Sequence, residues 1–558
     1  MSTTARKDEP PAESPDPTEI PATSVLGSID KFVFTGGLIL VVAFAAWGVF
    51  GKESLQAAAD QGLNLVTTFS GWAFIMSGFG FVVFALALAF SRYGRIRLGT
   101  DQERPEFTTV SWFAMMFAAG MGIGLVFFGA SEPLSHFIAP PLGLAEPGTD
   151  EAAQLAMQYT IFHWGLHPWA LYAVVGMALA YTSFRKGNPN LLSSIVMPNR
   201  PVEDPMRRAI DTFAIFITVF GAATSLGLGA LQINSGLNSA YGITKSNTVA
   251  IIVILVLAVA FAISAVSGVG KGIKIVSNIN MGLAGTLALF VLVLGPTLII
   301  VNTFVEMIGN YTTQIVPMSF RTGIYGGQDW LQGWTLFYWA WWMSWAPFVG
   351  TFIARISRGR TIRQFVICVL LVPTMVSSVW FSILGGTAIH QQQNGVDLAG
   401  AETNEGRLFL MLDQLPLGAV TATVVVLLIT FFFVSSADSA SVVLGMLSSK
   451  GNIAPHKFVV LLWGGMIALT AIALLVAGGL AAIQQAAVVI AVPFLVLLIF
   501  VCIQLFRQLR EEPVVSTVPE GVYTALYEEL GASKAEVDEK LAAQRAAPDP
   551  DHTSGPSS

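Results

Sequence analysis

Charge is scarce in this chain. Only 11% of its 558 residues are Asp, Glu, Lys or Arg, while 54% are hydrophobic; soluble globular proteins carry about 25% charged residues. The charges also leave long apolar runs untouched, each able to cross roughly 30 Å of hydrocarbon. A soluble fold is excluded, and the chain reads as an all-α polytopic membrane protein embedded in a lipid bilayer. Cysteine is nearly absent. Cys368 and Cys502 both lie in apolar runs and offer neither a disulfide framework nor metal-ligand spacing. Basic residues are outnumbered, 29 Lys and Arg against 35 Asp and Glu, so nucleic-acid binding is not expected. No charged n-region or small-residue cleavage pattern marks a cleaved signal peptide. No nucleophile–base pair is suggested, so the chain is not expected to be an enzyme.

Twelve apolar spans are expected, near residues 32–50, 66–91, 109–129, 153–182, 210–236, 248–267, 275–302, 334–355, 362–386, 419–446, 457–477 and 482–506. With the N-terminus inside, Lys52, Lys245, Arg321 and Arg407 are the only basic residues on the outer side. That asymmetry predicts a multi-pass protein of the inner (plasma) membrane with both termini cytoplasmic. Residues 1–28 read as an acidic, Pro-rich disordered tail, residues 29–508 as the membrane domain, and residues 509–558 as an acidic, largely disordered tail. Two amphipathic stretches, "VEMIGNYTTQIV" and "GRLFLMLDQL", suggest helices lying in the interface.

Span 3 reads "FAAGMGIGLVFFGASEP". Gly120, Gly122 and Gly124 alternate, and each costs about 1 kcal/mol relative to Ala inside a helix. Close helix packing wants glycines four apart, whereas alternation suggests unwound backbone that can bind a ligand. Span 4 carries "FHWGLHPWALY", where Pro168 predicts a kink at Trp164. Trp164, Trp169 and Tyr172 share an arc of roughly 140°. Span 8 carries "FYWAWWMSWAPF", with Trp341, Trp342 and Trp345 on one face and Phe348 beside them. These aromatics either pack a core or form a cage. A quaternary ammonium has no N–H to donate, and ring quadrupoles can hold it at about 2 kcal/mol or more per desolvated contact.

His163 and His167 stand four apart, the spacing of a zinc pair. With no third ligand and Trp164 where a catalytic Glu would stand, they read as hydrogen-bonded packing residues. Span 10 carries "TFFFVSSADSAS", whose hydroxyls either bond neighbouring helices or, with kinked backbone, ligate an alkali cation. Asp438 reads as a hydrogen-bond hub rather than a proton carrier, and Glu132 as a cap or gate residue.

The chain resembles the betaine/carnitine/choline transporter family over about residues 28–508, closest in motifs to its sodium-coupled glycine betaine members. The resemblance rests on "AMMFAAGMGIGLVFFGASEPL", "FHWGLHPWALY", "FGAATSLGLGALQINSGL", "SGVGKGIKIVSNINM", "FYWAWWMSWAPFVGTFIARISRGRTIR", "VSSVWFSILGGTAI" and "SSADSAS". It implies 12 transmembrane helices with a LeuT-like 5+5 inverted repeat, spans 3–7 and 8–12, after two extra helices. Spans 3 and 8 would be the broken first helices of the repeats.

By the same resemblance, the substrate box is Trp164, Trp169, Tyr172, Trp341, Trp342 and Trp345, with span-3 backbone at Gly120, Met121, Gly122 and Gly124 receiving a carboxylate. A sodium site matches Ala118, Met121, Phe432, Ser435 and Ser436. A second matches Thr218 and Phe348 but has Ala222 where another Thr is expected, which weakens it. Choline-transporting relatives tend to carry Asp at the position of Gly124.

The expected function is sodium-coupled import of a small zwitterionic solute such as glycine betaine, ectoine, proline or carnitine, with sodium as coupling ion, no cofactor and a homotrimeric assembly. A proton-coupled choline carrier or a sodium-independent exchanger is the alternative. A membrane osmosensor or receptor would need a folded output domain, for which the tails are too short and polar. The long basic tail tied to osmotic control in some members is replaced here by an acidic one, so strong osmotic gating is not carried over.

Overall fold

Asp30 opens the first described helix. Its carboxylate accepts from the backbone N–H of Phe32 (3.0 Å) and Val33 (3.2 Å) and from Arg208 Nε (2.9 Å). Helix α1 (Lys31–Phe50) is thereby capped and tied to the start of a later helix. The computed structural model describes residues 28–120, 122–267 and 269–512, apart from the side chains of 117–120, 265–267, 269–277, 480–483 and 486. The expected tails fall almost wholly outside these residues.

Helices follow one another along the described chain, and its β pairing is one isolated antiparallel bridge, Arg97 with Thr361. Helix α2 (Lys52–Phe90) begins well before the expected residue 66, because residues 52–65 continue its helical pattern without a breaker. Span 3 divides into α3 (Thr109–Gly120) and α4 (Ile123–Ile138), and span 4 into α5 (Asp150–Trp164) and α6 (Leu166–Ala180). Then come α7 (Pro205–Tyr241), α8 (Asn247–Ser267), α9 (Val269–Leu294) and α10 (Thr297–Met318). Helix α9 stops at Leu294, not near residue 302. Pro296 lacks an N–H and disfavours helix at Gly295, and α10 leaves at 112° to α9. The stretch expected to lie in the interface is the second half of α10. The other such stretch forms α13 (Gly406–Asp413), after α11 (Phe337–Ile356) and α12 (Ile362–Gln393). Helix α14 (Gly418–Ser448) is continuous. Helix α15 (Lys457–Arg510) contains spans 11 and 12, separated at Gly478 and at Gly479, whose φ of +63° suits glycine. The described residues up to Arg507 form one compact unit.

Eight helices among the described residues are long and apolar enough to cross a membrane, or nine if α9 and α10 count as one bent span. The expected spans missing from this set are 3, 4 and 8. Spans 3 and 4 are each cut into two short helices, and span 8 is rich in tryptophan, which is only weakly apolar. They are the same spans that carry the candidate box.

Helix α7 lies at the centre, with 89% of its apolar window buried, whereas α1 and α8 bury only 28% of theirs and present apolar faces outward. α14 packs along α7, and α11 along α6. The start of α3 is pinned to the end of α11: Trp112 Nε1 donates to Ser357 Oγ (2.9 Å), and the Arg360 guanidinium lies 3.8 Å from the Trp112 ring centroid.

Candidate substrate and ion site

The break in span 3 falls at Gly122. Gly122 has φ −119° and ψ −142°, outside the helical region, and α4 starts at Ile123. Of the three alternating glycines, Gly120 ends α3, Gly122 forms the break and Gly124 is helical. Gly124 is needed for space instead: a Cβ there would lie 2.6 Å from Trp341 and 2.9 Å from Trp164. A Cβ on Gly122 would lie 3.4 Å from Ser436 Oγ and 3.8 Å from Trp345. The break therefore touches the aromatic cluster on one side and span 10 on the other.

Span 4 breaks at Gly165, next to the expected kink at Trp164, and Gly165 rather than Pro168 makes the break. Gly165 has φ −97° and ψ −127°, and Tyr311 Oη accepts from the freed N–H of Leu166 (3.1 Å). Pro168 falls in the first turn of α6, where its missing N–H costs no helical bond. Trp164 is the last residue of α5, so its ring stands at the break. Span 8, expected to be broken, is not. Helix α11 runs through Pro347 and is preceded by a π-helical turn, Gln332–Leu336.

The six box residues are all buried. Trp341 stacks on Trp342 at 4.7 Å and 15°. Trp164 meets Trp342 edge-on at 4.9 Å and Trp341 at 6.2 Å. Tyr172 lies 6.4 Å from Trp342 and 5.6 Å from Trp169, and Trp345 lies 6.0 Å from Trp341. Trp342 Nε1 donates to His163 O (3.0 Å) and Trp345 Nε1 to Gly221 O (2.8 Å). Trp341 Nε1 and Tyr172 Oη are buried without a partner.

At the expected ion site, Phe432 and Ser435 are buried on α14. Ser435 Oγ donates to Phe432 O (3.1 Å) and accepts from Asn280 Nδ2 (3.3 Å). Met121 lies outside the described residues, as do the side chains of Ala118 and Gly120. No kink in α14 adds carbonyls, because that helix is continuous; irregular backbone comes from span 3. At the second expected site Thr218, Ala222 and Phe348 are buried, and Thr218 Oγ1 donates to Ala214 O (2.6 Å). Thr224 Oγ1 is buried without a partner. Asp438 Oδ2 accepts from Ser264 (2.6 Å) while Oδ1 is unpartnered, less than the expected hub.

Glu132 is not a helix cap. It sits inside α4, fully buried, and accepts from Trp164 Nε1 (2.7 Å), His163 Nδ1 (2.8 Å), His136 Nε2 (3.3 Å) and the Tyr338 hydroxyl. His163 also bonds Thr335 (2.9 Å), and His167 bonds Ser319 (2.9 Å), as packing histidines do. Asn280, His136 and Tyr338 were not singled out from sequence. Asn280 lies within the quoted "SNINM", but only tertiary contact reveals its role beside Ser435.

Helices long and apolar enough to cross a membrane, set around a buried aromatic cluster and a broken span, are the build of a multi-pass membrane protein with an internal site. Residues 32–514 match the BCCT family, betaine/carnitine/choline family transporter. The chain belongs to that family, whose members are transporters and not enzymes. It is 47% identical to the glycine betaine transporter OpuD of Bacillus subtilis, over 86% of this chain and 94% of that one. It is 42% identical to the betaine/ectoine transporter LcoP of Corynebacterium glutamicum, over 87% and 78%. Identity to a glycine betaine/proline/choline transporter of Vibrio parahaemolyticus is 42%, over 86% and 90%.

Proposed function

We propose that the protein is a sodium-coupled symporter that imports a zwitterionic compatible solute, glycine betaine foremost, by alternating access. It would do so on twelve spans with a LeuT-like 5+5 repeat, in the inner (plasma) membrane, with both termini cytoplasmic and as a homotrimer. The observation that carries the reading is the position of the span-3 break, with Gly124 against Trp341 and Trp164, and Gly122 against Ser436 and Trp345. Trimethylammonium would be held by the ring faces. The carboxylate would take free N–H groups near the break, and the unpartnered Trp341 Nε1 and Tyr172 Oη are further donors. Sodium would take oxygens from Ser435, Ser436 and Phe432 O together with span-3 carbonyls around Ala118 and Met121. The Thr218–Phe348 site is the weaker one, since Ala222 offers no hydroxyl.

The names of the relatives fit betaine-type solutes, and one includes choline. Choline lacks a carboxylate and would need a protein charge in its place, which Gly124 does not supply. Radiolabelled betaine, ectoine, proline, carnitine and choline should be offered to proteoliposomes with and without a sodium gradient. Betaine uptake should be strong and sodium-driven, and choline uptake weak. Replacing Ser435 and Ser436 together by Ala should raise the sodium concentration for half-maximal uptake several-fold, with solute affinity at saturating sodium little changed. Uptake driven equally well by a proton gradient in sodium-free buffer would exclude the ion assignment.

A further inference from the structure

The sequence offered His163 and His167 as a zinc-spaced pair without a third ligand, and the fold gives the two different partners. It gives His163 two other companions. Glu132 and His136, one helical turn apart on α4, join His163 from α5, and their ligand atoms all lie within 4.8 Å of one another. All three side chains are fully buried. We propose that Glu132, His136 and His163 form a binding site for a borderline-soft divalent cation such as Zn2+, and that its occupancy arrests transport.

The donor atoms converge. Glu132 Oε1 stands 3.3 Å from His136 Nε2 and 2.8 Å from His163 Nδ1. Tetrahedral zinc with bonds of about 2.0–2.1 Å sets its ligand atoms roughly 3.3 Å apart. The first separation already fits, and the second must open by about 0.5 Å. The surrounding groups orient these donors as outer-shell partners do at metal centres. Trp164 Nε1 and the Tyr338 hydroxyl hold Glu132 Oε2, while Thr335 Oγ1 holds His163 Nε2.

Two imidazoles and a carboxylate, without thiolate, select zinc, cobalt, nickel or copper over sodium or magnesium. Among the described residues Glu132 has no Lys or Arg partner, only the two histidines. A carboxylate so deep in the helices is costly without an opposing charge, and a dication supplies one.

With Glu132 ionised, metal binding releases no net proton. An ionised carboxylate only accepts, so each ring nitrogen facing Glu132 carries its proton in the metal-free site. On metal binding each neutral ring moves that proton to its other nitrogen. His163 Nε2–H then donates to Thr335 Oγ1, and His136 protonates at Nδ1, which is now unpartnered. The consequence for transport follows from position. Glu132 holds the indole of Trp164, and His163 precedes Trp164 at the span-4 break, so a metal here clamps one wall of the box. Because the ligands are buried, the ion enters only when the helices part, and inhibition should build up over successive transport cycles.

The test uses the full-length, untagged protein. In detergent, Co2+ should give the visible d–d bands of a tetrahedral N/O site at one ion per chain, displaced by Zn2+ and lost in His136→Asn and His136→Gln. This spectroscopic readout does not depend on which solute is carried. In proteoliposomes, Zn2+ should inhibit betaine uptake by the parent protein. His136→Asn or His136→Gln should keep uptake and raise the inhibitory zinc concentration about tenfold or more, while His390→Ala leaves it unchanged. Absence of zinc-displaceable cobalt bands, or equal zinc sensitivity in the parent and both His136 variants, would overturn the assignment.

Discussion

Trp341→Leu is expected to weaken solute affinity about thirtyfold while the protein still folds and inserts, whereas Trp341→Phe should lose less. Trp341 is the box residue best suited to this test. Its indole N–H has no protein partner, so replacing it breaks no hydrogen bond within the protein. Its ring stacks on Trp342 and lies against Gly124, facing the break in span 3. Leucine keeps an apolar side chain but has no quadrupole to meet a trimethylammonium group. One desolvated cation–π contact of about 2 kcal/mol corresponds to about thirtyfold in affinity. Phenylalanine keeps a ring face, so its loss should be smaller. Affinity unchanged in Trp341→Leu would reduce the aromatic cluster to packing.

Gly124→Asp should produce the second large effect, a change of substrate. Its Cβ would approach Trp341 to 2.6 Å and Trp164 to 2.9 Å, so both rings must give way. Overpacking of this kind costs about 1–3 kcal/mol, which corresponds to a loss of betaine affinity of about 5- to 150-fold. The new carboxylate would also repel the carboxylate of betaine and attract a bare cation, both strongly in a buried site. Choline uptake, measured with the same radiolabel assay, should therefore rise as betaine uptake falls. The parent protein should carry choline poorly. Efficient choline transport by the parent would favour the choline-carrier reading instead.

Local chemistry was legible where it acts along the chain. The alternating glycines announced a break in span 3, and it falls among them. Pro168 announced a disturbance in span 4, but the helix breaks at Gly165, because a proline in a first turn starts a helix as readily as it bends one. Span 8, which the family resemblance implied to be broken, runs on through Pro347. Helix α11 absorbs it, packed along α6 and stacked through its tryptophans. What could not be read was the meeting of residues far apart in sequence. Glu132 looked like a residue at the end of a span, and only folding sets it against Trp164 and Tyr338. Asn280 carries no signal of its own until α9 is set beside Ser435.

If solute and sodium share the span-3 break, binding of one must strengthen binding of the other, and a single affinity reports it. Solute binding to the purified protein can be followed through its own tryptophan fluorescence, in saturating sodium and in sodium-free potassium buffer. Sites coupled through one break should show tighter solute binding with sodium by a factor within the usual allosteric range of about 5- to 150-fold. The Ser435/Ser436→Ala variant should lose most of that difference at moderate sodium. Equal affinities in the two buffers would exclude a shared break.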